Sequence, residues 1–154
     1  MRPSAIALII AVMALIPSVT APQPAPSRGC QGVVSPEFAR TFAAEWVEAW
    51  NAHDLERILS HYADDFEIVS PVIVELMREP SGRLRGKTAV RSYWQLGLRA
   101  NPPLKFELVS VFAGVGGLTI TYRSVGRRMV AETFEFDAAC HVVRARAHYG
   151  APAP

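Results

Sequence analysis

The last third of the chain consists almost entirely of extended segments, and this limits the possible folds more than any other feature. Apolar and polar residues alternate from Leu104 to Tyr149, and only short turns at residues 114–117, 126–127 and 138–139 interrupt them. Four consecutive segments of this kind predict an antiparallel meander. One face of such a sheet must be covered, and the helical patterns that can cover it all lie earlier in the chain. The sequence therefore predicts an α+β domain.

Three helical patterns precede the meander. The first begins at Ser35, an N-cap residue followed by Pro36, and has an aromatic residue at every fourth position of one face. Asp54 can cap a second, shorter helix, and a third follows Gly86 and is stopped at residues 101–103. Two extended pieces are also predicted between the second and third helices, at residues 66–70 and 72–77.

The beginning of the chain has the pattern of an export signal. Arg2 precedes an uncharged apolar run at residues 5–16, and small residues follow at Val19 and Ala21. The run is too short for a stable membrane span, which needs about 20 apolar residues. We expect residues 1–21 to be a signal peptide and the protein to be periplasmic or secreted. The alternative is a misassigned start codon, which would leave the protein in the cytoplasm.

A proline-rich stretch follows the predicted signal. Its composition predicts a disordered tether at residues 22–34, in front of a domain at residues 35–150. Cys30 lies in this tether and Cys140 at the start of the last predicted strand. Two alternatives stay open for these cysteines: a disulfide if the chain is exported, or two unpaired thiols.

The composition excludes several classes of function. Half of the residues are hydrophobic and 19% are charged, which excludes a disordered chain. The 16 basic residues are scattered and face 14 acidic ones, so we expect no nucleic-acid partner. The four histidines show neither a His-x-His nor a His-Glu-x-x-His spacing, and no histidines cluster near the two cysteines. We therefore expect no metal and no cofactor.

Six short segments within residues 36–149 carry the most specific information. They are WVEAWNAHD at 46–54, HYADDFEI at 61–68, SP at 70–71, GKTAVRSYW at 86–94, FEFD at 134–137 and VVR at 142–144. Together they resemble the SnoaL-like branch of the NTF2-like superfamily. The resemblance implies a cone, in which a curved antiparallel sheet wraps around three helices and leaves an interior pocket, and it implies a homodimer. It does not determine activity, because this scaffold carries isomerases, cyclases, dehydratases and non-catalytic modules.

The resemblance argues against steroid isomerisation once it is followed residue by residue. Ketosteroid-isomerase-like members have a carboxylate base just before the proline that ends the first strand, and this chain has Ser70 there. A hydroxyl is too weak a base to remove a carbon-bound proton unaided. Matching the family's two oxyanion donors, a tyrosine and an acid, places Trp46 and Glu132 at these positions. Trp46 can donate only through its indole N–H.

Glu132 is the most informative polar residue. In an alternating strand it shares a side with Phe134 and Phe136. If that side faces the interior of the cone, Glu132 is a carboxyl in an apolar pocket, with a raised pKa and the capacity for acid–base chemistry near pH 7. The alternative is a glutamate on the sheet surface that pairs with Arg123 or Arg144.

We therefore expect a pocket that binds a small apolar or carbonyl-bearing molecule. A catalytic version would perform proton transfer of the isomerase, cyclase or dehydratase type, with Glu132 as acid or base and Ser70 and Tyr149 as hydrogen-bonding partners. The alternative is a non-catalytic module for ligand binding or dimerisation. The residues expected to line the pocket are Trp46, Tyr62, Met77, Trp94 and Phe134.

Overall fold

The structure is a computed structural model that describes residues 29–100 and 102–151. The predicted signal peptide and residues 22–28 of the predicted tether lie outside the described residues. None of the helices in the described part of the chain is both long and apolar enough to span a membrane.

The described residues form four α-helices, one short 3₁₀-helix and six strands. Ser35 begins the first helix by accepting a hydrogen bond from the Phe38 N–H, and Asp54 begins the second by accepting one from the Arg57 N–H. Both predicted caps are confirmed. In chain order the elements are α1 Pro36–Asn51, α2 Leu55–Ser60, β1 Tyr62–Val69, α3 Pro71–Met77, β2 Arg83–Arg85, α4 Lys87–Leu98, β3 Glu107–Ala113, β4 Gly117–Arg123, the 3₁₀-helix Val125–Arg127, β5 Met129–Phe136 and β6 Val142–Tyr149.

The six strands form one sheet in the order β2-β1-β6-β5-β4-β3. Strands β3 to β6 make the predicted antiparallel meander. Strand β1 lies parallel to β6, so the sheet is mixed, whereas the prediction was a purely antiparallel one. The two strands can run in the same direction because no hairpin joins them: two helices and four strands lie between them in the chain.

The segment at residues 72–77 is helical, and its prediction as an extended piece was wrong. Pro71 occupies the first helical position of α3, and the Ser70 side chain accepts a hydrogen bond from the Val72 N–H at 3.2 Å. The β-branched residues of this segment favour a strand locally, but the Ser70 cap, Pro71 at the first helical position and the complete burial of Ile73 favour the helix. The described residues therefore form four α-helices and not the predicted three.

The end of the predicted tether is packed against the domain. Cys30 forms a disulfide with Cys140 in the turn between β5 and β6, and Val34 is completely buried. Packing thus extends at least as far back as Cys30, before the predicted boundary of residue 35, because a covalent bond and a buried side chain hold this segment. Of the two alternatives for the cysteines, the structure contains the disulfide.

The core fills the narrow end of the cone with aromatic rings. The Phe42 ring lies 5.2 Å from that of Phe134 and 5.0 Å from that of Phe136, measured between centroids. One helical turn later, Trp46 is 1% exposed, and its indole N–H donates a 2.9 Å hydrogen bond to the Tyr62 hydroxyl. Such ring pairs add about 1 kcal/mol each beyond the area that they bury. The wide end of the cone is left open.

The disulfide should contribute strongly to stability, because it closes a loop with a sequence separation of 110 residues. We expect the double variant C30S/C140S to lose about 5 kcal/mol of unfolding free energy, in line with the entropy of closing so long a loop. Urea unfolding monitored by tryptophan fluorescence measures this loss. Dithiothreitol should lower the midpoint of the wild type and leave that of the variant unchanged. A wild-type midpoint that does not respond to the reductant would contradict the prediction.

Candidate functional site

The wide end of the cone contains a cavity of about 280 Å³. Helices α1, α3 and α4 and the concave face of the sheet enclose it, and all three tryptophans of the chain, Trp46, Trp50 and Trp94, line it. A mostly apolar cavity with a few convergent polar groups is typical of a small-molecule site. The polar side chains on its wall are Ser70, Tyr93, Tyr122, Ser124, Arg128, Glu132 and Tyr149.

Glu132 lies inside this cavity. It is 4% exposed on β5, and the Tyr122 hydroxyl donates a hydrogen bond to its Oε2 at 2.9 Å. Strand alternation places it on the same concave face as Phe134, as the sequence pattern indicated. The alternative of a surface ion pair is wrong, because Arg123 and Arg144 pair with other glutamates.

The environment of Glu132 favours its neutral form. Burial raises the pKa of Glu132 to about 7, and the hydrogen bond from Tyr122 opposes this rise. The Glu132 carboxylate in turn contributes to a raised pKa at Tyr122 and Tyr149, although burial is the largest cause for both. Near neutral pH, Glu132 is therefore divided between its acid and base forms, while the two phenols keep their protons. This is the protonation pattern of a general acid–base group surrounded by hydrogen-bond donors.

A second polar group surrounds Ser70 at the end of β1. Ser70 is 1% exposed, and its hydroxyl lies near those of Tyr93 and Tyr149, where it opposes the rise in the pKa of both phenols. Burial is the main cause that raises the pKa of both tyrosines. The Ser70 oxygen also accepts the Val72 N–H, so this side chain caps α3 as well as lining the cavity.

A tight turn holds Ser70 in place. The Ser70 N–H donates a hydrogen bond to the Gly82 carbonyl at 2.8 Å. Gly82 has φ = +62°, and a Cβ atom there would lie 3.1 Å from the Ser70 carbonyl oxygen. Both the conformation and the close approach favour glycine, so the end of β1 has a fixed position relative to the cavity.

The structure separates the residues that were predicted to line the pocket. Trp46 and Trp94 line the cavity, together with the three predicted polar residues Glu132, Ser70 and Tyr149. The other three do not line it: Tyr62 and Phe134 are 1% exposed in the core, and Met77 packs against the core at the end of α3. Tyr62 points to the Trp46 indole because the two groups share a hydrogen bond. Phe134 lies one pleat closer to the narrow end than Glu132, and Met77 was placed on a strand that is in fact a helix.

Tyr93, Tyr122 and Arg128 line the cavity and were not among the predicted site residues. The signal for Tyr122 was its strand parity with Leu118 and Ile120, which places it on the concave face of β4. Tyr93 precedes Trp94 on the buried side of α4. Arg128 follows a turn and carried no periodic signal. Among the described residues there is no group of three or more His, Cys, Asp or Glu side chains that could hold a metal.

Comparison with known proteins identifies the family. The model of the SnoaL-like domain matches residues 43–148. The chain belongs to the SnoaL-like family. A SnoaL-like protein of unknown function from Burkholderia thailandensis is 50% identical, with a TM-score of 0.75 over 77% of this chain and 99% of that one.

Two more distant structures share the fold. A candidate ketosteroid isomerase from Kribbella flavida is 14% identical, with a TM-score of 0.59 over 77% of this chain and 82% of that one. An NTF2-like protein of unknown function from Cytophaga hutchinsonii is 10% identical, with a TM-score of 0.57 over 73% of this chain and 89% of that one. At these identities the likeness shows the fold alone. The predicted resemblance to the SnoaL-like family is confirmed, and so is the α+β cone fold, which the NTF2-like structure shares.

The raised pKa of Glu132 should make stability fall as pH rises. The folded protein holds a proton on this carboxyl up to about pH 7, whereas the unfolded chain releases it near 4.5. The stabilisation is therefore complete below pH 4.5 and is lost by about pH 7, and it amounts to about 3 kcal/mol. We expect E132Q to remove this part of the pH dependence when urea unfolding is measured at a series of pH values.

Glu135 provides the matched control for this measurement. It lies on the same strand, on the exposed face, and forms an ion pair with Arg144. E135Q should keep the wild-type slope between pH 4.5 and 7. If E132Q and the wild type lose stability in parallel over this range, the carboxyl is not the group responsible.

Proposed function

We propose that this SnoaL-like protein binds a small, largely apolar carbonyl compound in the cavity and transfers a proton at the carbon next to the carbonyl. The observation that carries the proposal is the placement of Glu132. This buried carboxyl has a pKa near 7 and lines the same apolar cavity as several protonated hydroxyl groups. A general base is most effective when its pKa lies near the working pH.

The base role is assigned to Glu132 by the chemistry of the cavity wall. Of the described residues that line the cavity, Glu132 is the one carboxyl. Ser70 stands where ketosteroid-isomerase-like members have their base, and its hydroxyl caps α3. The proposed proton acceptor of this protein therefore lies in the middle of β5, and not at the end of β1 as in ketosteroid-isomerase-like members. The Tyr122 hydroxyl orients the carboxyl through Oε2 and leaves Oε1 for the substrate.

The proposed reaction passes through an enolate. The ionised Glu132 takes a proton from the carbon next to the carbonyl. The electron pair of the broken C–H bond forms a carbon–carbon double bond, and the π electron pair of the carbonyl moves onto its oxygen. Hydroxyl groups of Tyr149, Tyr93 and Ser70 donate hydrogen bonds to this oxygen, where negative charge develops. Glu132 then returns the proton to a different carbon, or to the same one. The aromatic walls limit the access of water, which strengthens these electrostatic interactions.

An observation at Ser70 favours one alternative function. Because no carboxylate stands at this position and its hydroxyl is engaged by the backbone of α3, the cavity also suits a non-catalytic ligand-binding module. In that case Glu132 and the tyrosines recognise the ligand by hydrogen bonds and no bond is broken. Native mass spectrometry of the purified protein would reveal a bound ligand in either case, and the exchange experiment below separates the two functions.

A deuterium-exchange assay tests the catalytic proposal. The probe is 2-tetralone, an apolar bicyclic ketone with acidic protons beside its carbonyl, and proton NMR in D₂O follows their loss. We expect the wild type to accelerate exchange, with a rate that rises as Glu132 ionises around pH 7. E132Q should reduce this acceleration at least a hundredfold, roughly the contribution of a positioned general base. Y149F should reduce it about tenfold by removing one donor.

Glu135 again supplies the control, since E135Q removes a carboxylate from the exposed face of the same strand and should keep the wild-type rate. A wild-type rate no higher than that of buffer, with 2-tetralone still bound, would favour the binding module. Equal rates for E132Q and wild type would eliminate Glu132 as the base.

We further propose that the protein is exported and forms a homodimer through the outer face of the sheet. The Cys30–Cys140 disulfide supports export, because disulfides persist in oxidising compartments. The sequence pattern of residues 1–21 supports it independently. The centre of the outer face supports the dimer, because small side chains pair across its strands: Thr119 with Thr133, and Thr121 with Ala131.

The dimer can be tested by light scattering. We expect twice the mass of one chain for the wild type and a shift towards the monomer for T121R, which places a charge in the centre of the outer face. S60R adds the same charge on an exposed position of α2 and should remain dimeric. A monomeric wild type would refute this interface.

A further inference from the structure

One side of the cavity mouth is formed by a basic loop, residues 124–128 between β4 and β5. Arg128 follows the 3₁₀-helix and lines the cavity, and its guanidinium carbon lies 4.4 Å from the centroid of the Tyr149 ring. Arg127 and Lys105 line an open surface groove on the far side of the same loop. The groove and the cavity share the wall formed by Phe106, Ser124 and Val125.

The positive charges in and beside this loop are not neutralised within the described part of the chain. Lys105, Arg127 and Arg128 form no ion pair there, whereas the neighbouring Arg123 is paired with Glu107. All three side chains are exposed, and they lie together around the cavity mouth and the adjoining groove. An excess of positive charge at the entrance of an apolar cavity attracts anionic ligands.

The two sides of the cavity mouth carry opposite charges. Glu75, on the exposed side of α3, acts electrostatically on Tyr93 and Tyr149 and raises the pKa of both. Glu132 acts on the same two tyrosines from inside the cavity. Arg128 acts on Tyr149 in the opposite sense, because its charge lowers the pKa of that phenol. The mouth therefore has an acidic side at α3 and a basic side at the loop.

We infer that the ligand carries an anionic group beside its apolar body, and that Arg128 binds this group. This inference rests on the proposed function, because the apolar body occupies the same cavity and presents its carbonyl to Glu132. A guanidinium suits the role: it has five N–H donors in a planar fork that matches a carboxylate, sulfonate or phosphate. Packing on the Tyr149 ring holds the guanidinium and leaves its edge available for an anion.

The strand between the two groups limits the length of the ligand. Arg128 and Glu132 are four residues apart along extended chain, which corresponds to about 13 Å between their Cα atoms. The arginine side chain spans part of this distance. The anion and the reacting carbon are then separated by roughly the length of two fused rings, which also suits the cavity of about 280 Å³.

Two fluorescent probes with the same body test the inference. 8-Anilinonaphthalene-1-sulfonate is anionic, N-phenyl-1-naphthylamine is the same molecule without the sulfonate, and both become bright in an apolar environment. We expect Arg128→Gln to lower the affinity for the anionic probe about fivefold at low salt and to change the affinity for the neutral probe less than twofold. Arg128→Lys, which keeps the charge and loses the fork, should give a smaller loss. High salt should weaken the binding of the anionic probe to the wild type and should have little effect on its binding to Arg128→Gln.

Arg40 serves as the matched control, because it is an exposed arginine near the beginning of α1 and does not line the cavity. Arg40→Gln should leave both affinities unchanged. Equal losses for the two probes with Arg128→Gln, or no loss for either, would overturn the anionic-ligand inference alone.

A third variant distinguishes failure of the inference from failure of the proposed function. Ala147 lines the cavity on β6, and Ala147→Leu fills part of it. This variant should bind both probes more weakly than the wild type does, while its melting temperature stays close to that of the wild type. If neither probe binds the wild type, or if Ala147→Leu changes neither affinity, the ligand cavity itself is refuted and the inference falls with it.

Discussion

The packing of Trp46 against the concave face of the sheet supports both the core and the site. Its ring lies 5.5–5.8 Å from the rings of Trp50, Phe106, Tyr122 and Phe134, and its N–H binds the Tyr62 hydroxyl. On one side these contacts close the narrow end of the cone. On the other side they fix Tyr122, which orients the Glu132 carboxyl. The position of the buried Glu132 carboxyl therefore depends, through Tyr122, on the packing of Trp46.

Much of the fold could be predicted because local and long-range forces agree. The caps at Ser35 and Asp54, the aromatic stripe of α1 and the alternation of the meander all favour the structure that forms. Parity also places Glu132 on the same side of β5 as Phe134, and the structure shows that this side faces the interior. The prediction failed at α3, where tertiary burial of Ile73 outweighs β-branched preference. It also missed Tyr93 and Arg128, since membership of a cavity wall depends on how separate elements meet and not on periodicity.

The chemistry of the cavity follows from an imbalance between hydroxyl groups and carboxyls. One carboxyl on the described wall faces three phenol hydroxyls and two serines, and burial keeps the phenols protonated. Ser70 shows how a family position changes its role: its oxygen binds the backbone of α3 and so shapes the mouth of the cavity. The carboxyl of this cavity lies on β5, whereas Ser70 stands at the end of β1.

The disulfide has a consequence for the order of events during synthesis. Cys30 leaves the ribosome 110 residues before Cys140, and the two sulfur atoms meet only when the turn between β5 and β6 has formed. Strand β6, which joins β5 to β1 in the sheet, follows Cys140 in the chain. The covalent bond can therefore form only after every residue from α1 to β5 has been synthesised. Until that moment Cys30 is a free thiol, available to a thiol–disulfide exchange catalyst.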